Sequence, residues 1–323
     1  MSIGSVLMSL GLILTGFCNK IWQFIITEGF MFGVGSGLVY MPPVVCAPPY
    51  FTAHRGIALG LVFAGTGAGG LAMAPFSRFL LSQVGWRWAV RILGFLNLFF
   101  TQLAALMVKQ HPSFRARENV GLLSVGSAGG LKLVIQLAGS LLQSAGYLIP
   151  LIYMSTYAQT LGFSSSQGAI FIGVNNGVNS AFKIILGYGA DKVGRLNMIV
   201  ICNFVSAVSV FSLWLVPQRG PFLAFMVLYG AFSGAIISLL PACLIEIFGL
   251  PNYQAMSGLM YFSRGVGNML GSPIAGLLIA SEMKPSSYFG ATIYDGSLLM
   301  ASTICLLSLR FIVGSENRWK IKM

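Results

Sequence analysis

The chain has 323 residues, of which 56% are hydrophobic and only 8% charged, with a mean hydropathy of +0.83 and a formal net charge of +12. A soluble domain carries roughly a quarter charged residues, so this chain lacks the polar surface to cover itself against water. The composition excludes a water-soluble globular domain and places the chain in a lipid bilayer.

Apolar runs of about 20 residues, long enough to cross roughly 30 Å of hydrocarbon, recur along the chain. Backbone in lipid must satisfy its own hydrogen bonds, so the runs are read as helices. They do not alternate as barrel strands do. The pattern predicts an all-α, multi-pass integral membrane protein with about ten transmembrane helices, near residues 3–18, 21–45, 56–81, 88–108, 131–157, 164–189, 197–216, 221–248, 254–280 and 294–313. The first run has no Lys or Arg before it and no small-residue cleavage site after it, so it is read as a span and not as a cleaved signal peptide.

Glu28 lies inside the second run, in IITEGFMFGVGSG. A buried carboxyl prefers its neutral form, which suits a proton carrier; a hydrated place near the interface, shortly after Lys20, is the alternative. Gly29, Gly33 and Gly37 repeat every four residues, as do the pairs Gly65 and Gly69 and Gly267 and Gly271. Such small-residue faces let helices approach closely in lipid. Pro150, Pro241 and Pro273 fall inside runs and are expected to kink them.

After the fourth run, KQHPSFRARENV opens the longest polar interval. It divides the chain into a partial four-helix bundle (1–108), a central loop (109–130) and a six-helix bundle (131–323). In a ten-span arrangement Arg55, Lys109, Arg115, Arg117, Lys132, Lys192, Arg195, Arg310, Arg318, Lys320 and Lys322 share one face, against Lys20, Arg87, Arg91, Arg219 and Lys284 on the other. That bias makes the first face cytoplasmic, with both termini inside. It accounts for the positive charge without a nucleic-acid partner.

The five cysteines form no close pairs, and His54 and His111 have no metal-ligand neighbour at useful spacing. No catalytic set of Ser, His and Asp or of paired carboxylates is visible. Gly65-Thr66-Gly67 follows an apolar run, not a strand, and is no nucleotide loop. The reading is therefore no enzyme, no metal and no cofactor.

The most polar short stretch between two long runs is GYGADKVGRLN, residues 187–197. Gly194 permits a tight turn at a helix end. Asp191 suits a helix N-terminus, and Arg195 suits a carboxylate, for which Glu246 is the candidate partner. The set reads either as a latch on the cytoplasmic face or as a solvated loop that only fixes topology. An Asp-x-x-Gly-Arg turn between helices resembles the loop signature of the major facilitator superfamily, which implies a major facilitator fold of two six-helix halves. Here the turn joins the second and third helices of the six-helix half. The four-plus-six count then implies that two helices, and a second such turn, would lie upstream of Met1.

Further stretches narrow the resemblance. Tyr50, Phe51, Arg55, Ala58, Gly60, Ala64, Gly65, Thr66 and Gly69 in YFTAHRGIALGLVFAGTGAGG resemble the fifth-helix signature of the monocarboxylate transporter family. GYLIPLIYMSTYAQTLGF (146–163, with Tyr153), YGAFSGAIISLLPACLIEIFG (229–249) and FSRGVGNMLGSPIAG (262–276, with Arg264) resemble its seventh, tenth and eleventh helices, particularly in the fungal branch. The resemblance implies a plasma-membrane transporter that moves a small organic anion, coupled to protons, by alternating access. It places Lys183 where the family usually has an Arg for the substrate carboxylate, and Asn179 where animal members often carry Asp. An ammonium can still pair with a carboxylate, though without the bidentate fork; Asn cannot carry a proton. Those departures keep open a second function, efflux of a larger secondary metabolite; the two missing helices keep open a third, a truncated, inactive chain acting at most as partner or sensor.

The substrate-binding candidates are thus Lys183, Asn176, Asn179, Arg264 and Tyr153, with Asn175 beside them. Glu28 is the proton-coupling candidate, and Asp191, Arg195, Glu246 and Arg55 are the gating set. Intramembrane charges mark substrate or ion paths. Snorkelling to the interface is the alternative for Lys183 and Arg264.

Overall fold

A computed structural model describes residues 1–51, 54–108, 122–280, 282 and 284–316. Most of the central loop, with Lys109, His111, Arg115 and Arg117, and the tail carrying Arg318, Lys320 and Lys322 lie outside the described residues. Among the described residues all regular structure is helical. The helices are α1 (Ser2–Thr15), α2 (Ile21–Phe24), α3 (Phe32–Cys46), α4 (Arg55–Met107), α5 (Leu122–Thr160), α6 (Ser165–Val193), α7 (Arg195–Ser209), α8 (Arg219–Leu277) and α9 (Phe289–Glu316). A π-helical stretch, Ile25–Met31, runs α2 into α3, and another, Val210–Trp214, extends α7.

Seven of the described helical stretches are long and apolar enough to cross a membrane. Two of them, α4 with 53 residues and α8 with 59, far exceed one crossing. Each breaks at a single glycine of positive φ, Gly85 at 73° and Gly249 at 78°. Only glycine takes that backbone without strain. With the shorter α1, the described residues thus hold the ten helical segments that the hydropathy pattern predicts. Pro150, Pro241 and Pro273 lie inside α5 and α8, and the backbone leaves helical φ/ψ at Gly85, Gly130 and Gly249.

The chain forms two compact units, Met1–Tyr50 with Ala72–Glu118, and Phe51–Leu71 with Asn119–Met323. In the first unit α1 packs on α3. Gly4 and Gly35 meet in that contact, and a Cβ on either would strike the other helix. Asn97 donates to Ser9 Oγ at 2.9 Å, and Arg91 donates to the Gly16 carbonyl at 2.9 Å while lying over the Phe17 ring. Gly33 and Gly37 meet nothing within 4 Å, and Gly29 meets only its own helix. Within the first unit, the face that meets α1 is therefore that of Gly35 and not the expected stripe. Gly35 points to α1, and the 29–33–37 stripe points away from it.

In the second unit α5 packs against α8 and α9, α6 against α8, and α7 against α8 and α9. Gly267 and Gly271 of α8 lie against the backbone of α5 at Leu141 and Ala145, as their spacing leads one to expect. An aromatic core holds one end of this unit. Tyr157, Trp214, Phe222, Phe225 and Tyr288 are buried together, with Trp214 stacked on Phe225 at 5.2 Å.

Candidate functional site

The first segment of α4, residues 55–71, belongs to the second unit and lies along α6. On α6, Asn176, Ser180, Lys183, Gly187 and Asp191 form one stripe at helical spacing. Each meets α4 in reverse order, so the two helices run antiparallel. Asn176 lies against Gly67 and Gly70, Ser180 Oγ donates to the Ala64 carbonyl at 2.7 Å, the Lys183 backbone lies against Gly60, and Gly187 against Gly56. Gly56, Gly60, Ala64 and Gly67 are the small residues that admit this approach. The expected pair Gly65 and Gly69 faces open space instead.

The seam ends at the polar turn. α6 continues through Asp191 and Lys192 to Val193, and α7 starts at Arg195, so Gly194 alone makes the turn, with φ at 104°. Asp191 Oδ1 accepts the Gly56 N–H at 2.9 Å, and Oδ2 accepts the Ile57 N–H at 3.0 Å. A carboxylate therefore caps the start of α4, where unpaired amides and the helix dipole favour an anion. The approach requires Gly56, whose Cβ would lie 2.9 Å from Asp191 Oδ1. Arg195 donates through Nε to Asp191 Oδ1 at 3.0 Å, and its Nη2 lies 3.0 Å from the same oxygen. Its Nη1 reaches Glu246 Oε1 of α8 at 2.5 Å. The Asp191 and Arg195 side chains are nearly buried and that of Glu246 is 25% exposed. Arg55 Nε donates to the Phe51 carbonyl at 2.5 Å. One guanidinium thus ties α6, α7, α8 and the N-terminus of α4 together.

Two turns back along the stripe, Lys183 is 4% exposed. Its Nζ donates to Thr66 Oγ1 at 2.8 Å and to the Phe63 carbonyl at 3.3 Å, both on α4. An ammonium has three donors. The third has no partner among the described residues, and no carboxylate pairs with this charge there. Asn175 and Asn179 turn the other way, donating to the Met226 and Gly230 carbonyls of α8 at 3.0 and 3.2 Å. Gly230 and Gly234 leave room for those two amides. Asn176 and Asn179, grouped by sequence, therefore serve different seams.

Arg264 and Tyr153 lie in a third seam, between α5 and α8. Arg264 is buried and donates through Nη1 to Gln143 Oε1 at 2.5 Å; Tyr153 donates to the Ser272 carbonyl at 3.2 Å. The structure brings neither into hydrogen-bond contact with Lys183. Glu28 is exposed on the π-helical stretch of the first unit. Sequence reasoning missed Asp295, which is fully buried on α9. The expected last run began at 294, which put Asp295 at a helix edge, but α9 starts at Phe289. The apolar-flanked GATIY before it was the available signal.

The Major Facilitator Superfamily model matches residues 1–218 and 137–320. The chain belongs to the Major Facilitator Superfamily. Among curated members of the superfamily, the MFS-type transporter pynF of Aspergillus niger is 30% identical over 321 residues, covering 98% of this chain and 73% of the relative. The aspyridones efflux protein apdF of Emericella nidulans is 28% identical over 311 residues, with 95% of this chain and 62% of the relative covered. The agnestins efflux protein AgnL12 of Paecilomyces divaricatus is 25% identical over 309 residues, with 95% and 70% covered. Among solved structures, the superfamily's proton:xylose symporter XylE bound to 6-bromo-6-deoxy-D-glucose is similar with a TM-score of 0.71 at 18% identity, covering 95% of this chain and 78% of that one. At that identity the likeness carries the fold alone. As a superfamily member the chain is a multi-pass membrane transporter and not an enzyme.

Proposed function

We propose that this superfamily member exports an organic metabolite that carries an acidic group. Lys183 is the observation that carries the reading: an ammonium buried at mid-helix with one donor unspent and no protein counter-charge among the described residues. Such a charge is costly in a membrane and marks a substrate path. Relatives named as efflux proteins for aspyridones and agnestins support export and a larger cargo. A second reading, proton-coupled movement of a small monocarboxylate by a monocarboxylate transporter-like protein, draws on the same ammonium and on the fifth-helix stretch around Arg55. Asn176 lines the same α4–α6 seam as Lys183 and is the accompanying substrate contact in either reading.

The two readings separate in inside-out vesicles given radiolabelled lactate or radiolabelled naphthoate. Export of a large apolar acid predicts naphthoate accumulation with lactate at background. Lactate accumulation driven by an imposed pH gradient, with naphthoate at background, gives the second reading instead. Failure of both probes sinks the acidic-cargo proposal.

The Asp191–Arg195–Glu246 cluster is proposed as a latch on the cytoplasmic side, at the end of α6, the start of α7 and the Gly249 break of α8, in a plasma-membrane protein with both termini inside. The excess of Lys and Arg on that face supports the orientation. With accessible native thiols removed, Lys192→Cys is expected to react with an impermeant maleimide only after the cells are opened, and Lys284→Cys in intact cells. The reverse pattern would show the orientation to be inverted.

A further inference from the structure

The second unit buries one acidic side chain that none of these contacts uses. Asp295 on α9 is 0% exposed, and neither carboxyl oxygen has a hydrogen-bond partner among the described residues. The other described acidic side chains differ from it. Asp191 and Glu246 share Arg195, Glu282 pairs with Lys284 in the open, and Glu28 is exposed.

The surroundings of Asp295 are built by small and apolar groups. α5 approaches with Gly146, where a Cβ would lie 2.9 Å from Asp295 Oδ1 and 3.1 Å from Leu299. A missing side chain on α5 is what gives the carboxyl its place. From α8 comes Tyr229, fully buried, whose hydroxyl donates to the Tyr147 carbonyl at 3.0 Å. From the π-helical end of α7 comes Phe211, whose ring closes on Gly296. The ionisable groups near Asp295 are therefore Tyr229 and, beyond it, Tyr147, with Tyr294 as chain neighbour. None is a cation.

An ionised carboxylate in that setting has neither counter-charge nor donor, whereas the neutral acid avoids both penalties. We propose that Asp295 is an intramembrane proton-binding site, occupied in this conformation and open to exchange with solvent protons as α5, α8 and α9 move. The inference rests on burial and packing and does not depend on which cargo is carried. It also puts a proton carrier in the second unit, where the sequence had pointed to Glu28 in the first.

The chain contains only two aspartates, Asp191 and Asp295. Asp191 is paired with Arg195 and is a carboxylate. Infrared spectra of the full chain in lipid, prepared with and without aspartate carrying a heavy carboxyl carbon, therefore assign any protonated aspartate without a mutation. At neutral pH an acid carbonyl band that moves with the label is expected, is absent from Asp295→Asn, and shifts down in heavy water. No label-sensitive acid band would mean that Asp295 is ionised, and the proposal falls. A label-sensitive band that never responds to heavy water would mean a sealed structural acid, and the proposal falls equally. Should Asp295→Asn not accumulate, the labelled wild-type chain decides alone.

Discussion

Replacing Arg195 by alanine is expected to shorten the folded half-life of the purified transporter at least tenfold at a fixed temperature, and to abolish transport. The guanidinium holds two carboxylates at once, 3.0 Å from Asp191 and 2.5 Å from Glu246. Removing one member of a buried ion pair costs about 3–5 kcal/mol, because a charge is left uncompensated. The solvent reaching Glu246 lowers that figure, to about 2–3 kcal/mol, since exposed pairs contribute far less. Asp191 retains the Gly56 and Ile57 amides, so the start of α4 stays capped. The loss falls on the α6–α7–α8 junction.

Arg195→Lys separates charge from geometry. It keeps the positive charge but cannot reach both carboxylates through a planar fork. A half-life between those of wild type and Arg195→Ala is expected. A double-mutant cycle between Arg195→Ala and Glu246→Ala should return a coupling of about 0.5–3 kcal/mol, the range found for residues in one network. Additive effects would show that the α7–α8 bridge is incidental and that Asp191 alone matters. Full transport by Arg195→Ala would remove the latch from the mechanism.

The reach of this cluster explains which parts of the site were legible in sequence. Lipid residence follows from composition, and the helical segments from hydropathy, because both depend on short-range properties of the chain. Asp191, Gly194 and Arg195 lie within five residues, so their roles as cap, turn and bridge can be read from local chemistry. That the capped helix is α4, whose first amides lie 135 and 134 residues before Asp191, is a tertiary fact. The glycines make the same point. Gly29, Gly33 and Gly37 have the same spacing as Gly56, Gly60 and Ala64, yet only the latter meet a neighbouring helix in their unit. Spacing defines a small face but not what comes to lie on it. Asn175, Asn176 and Asn179 looked like one polar stripe, and packing divides them between α8 and α4. Asp295 escaped because polar residues near an assumed helix end draw no attention, and the true helix begins one and a half turns earlier.

Lys183 is expected to respond to substitution with the opposite sign in stability. Lys183→Met keeps the length of the side chain and deletes its charge. Burying an ammonium at a helix centre costs about 2.5–3.5 kcal/mol, and here two neutral acceptors on α4, with no carboxylate partner among the described residues, offset only part of it. The methionine variant should therefore outlast wild type under heating. Transport of an acidic probe such as naphthoate should nevertheless fall about ten- to a hundredfold, the worth of one charge-assisted hydrogen bond of about 1.5–3 kcal/mol. Lys183→Arg should retain transport or improve it, since a guanidinium offers a carboxylate two parallel donors. Greater stability with lost transport is what a residue kept for function at a structural cost produces. A strut between α4 and α6 produces the reverse: Lys183→Met would lose stability through Thr66 and Phe63, and transport would fall only as the folded fraction falls. Measuring the half-life and the uptake per folded molecule on the same preparations distinguishes the two, and a methionine variant that is less stable yet transports normally per folded molecule would take Lys183 out of the substrate path.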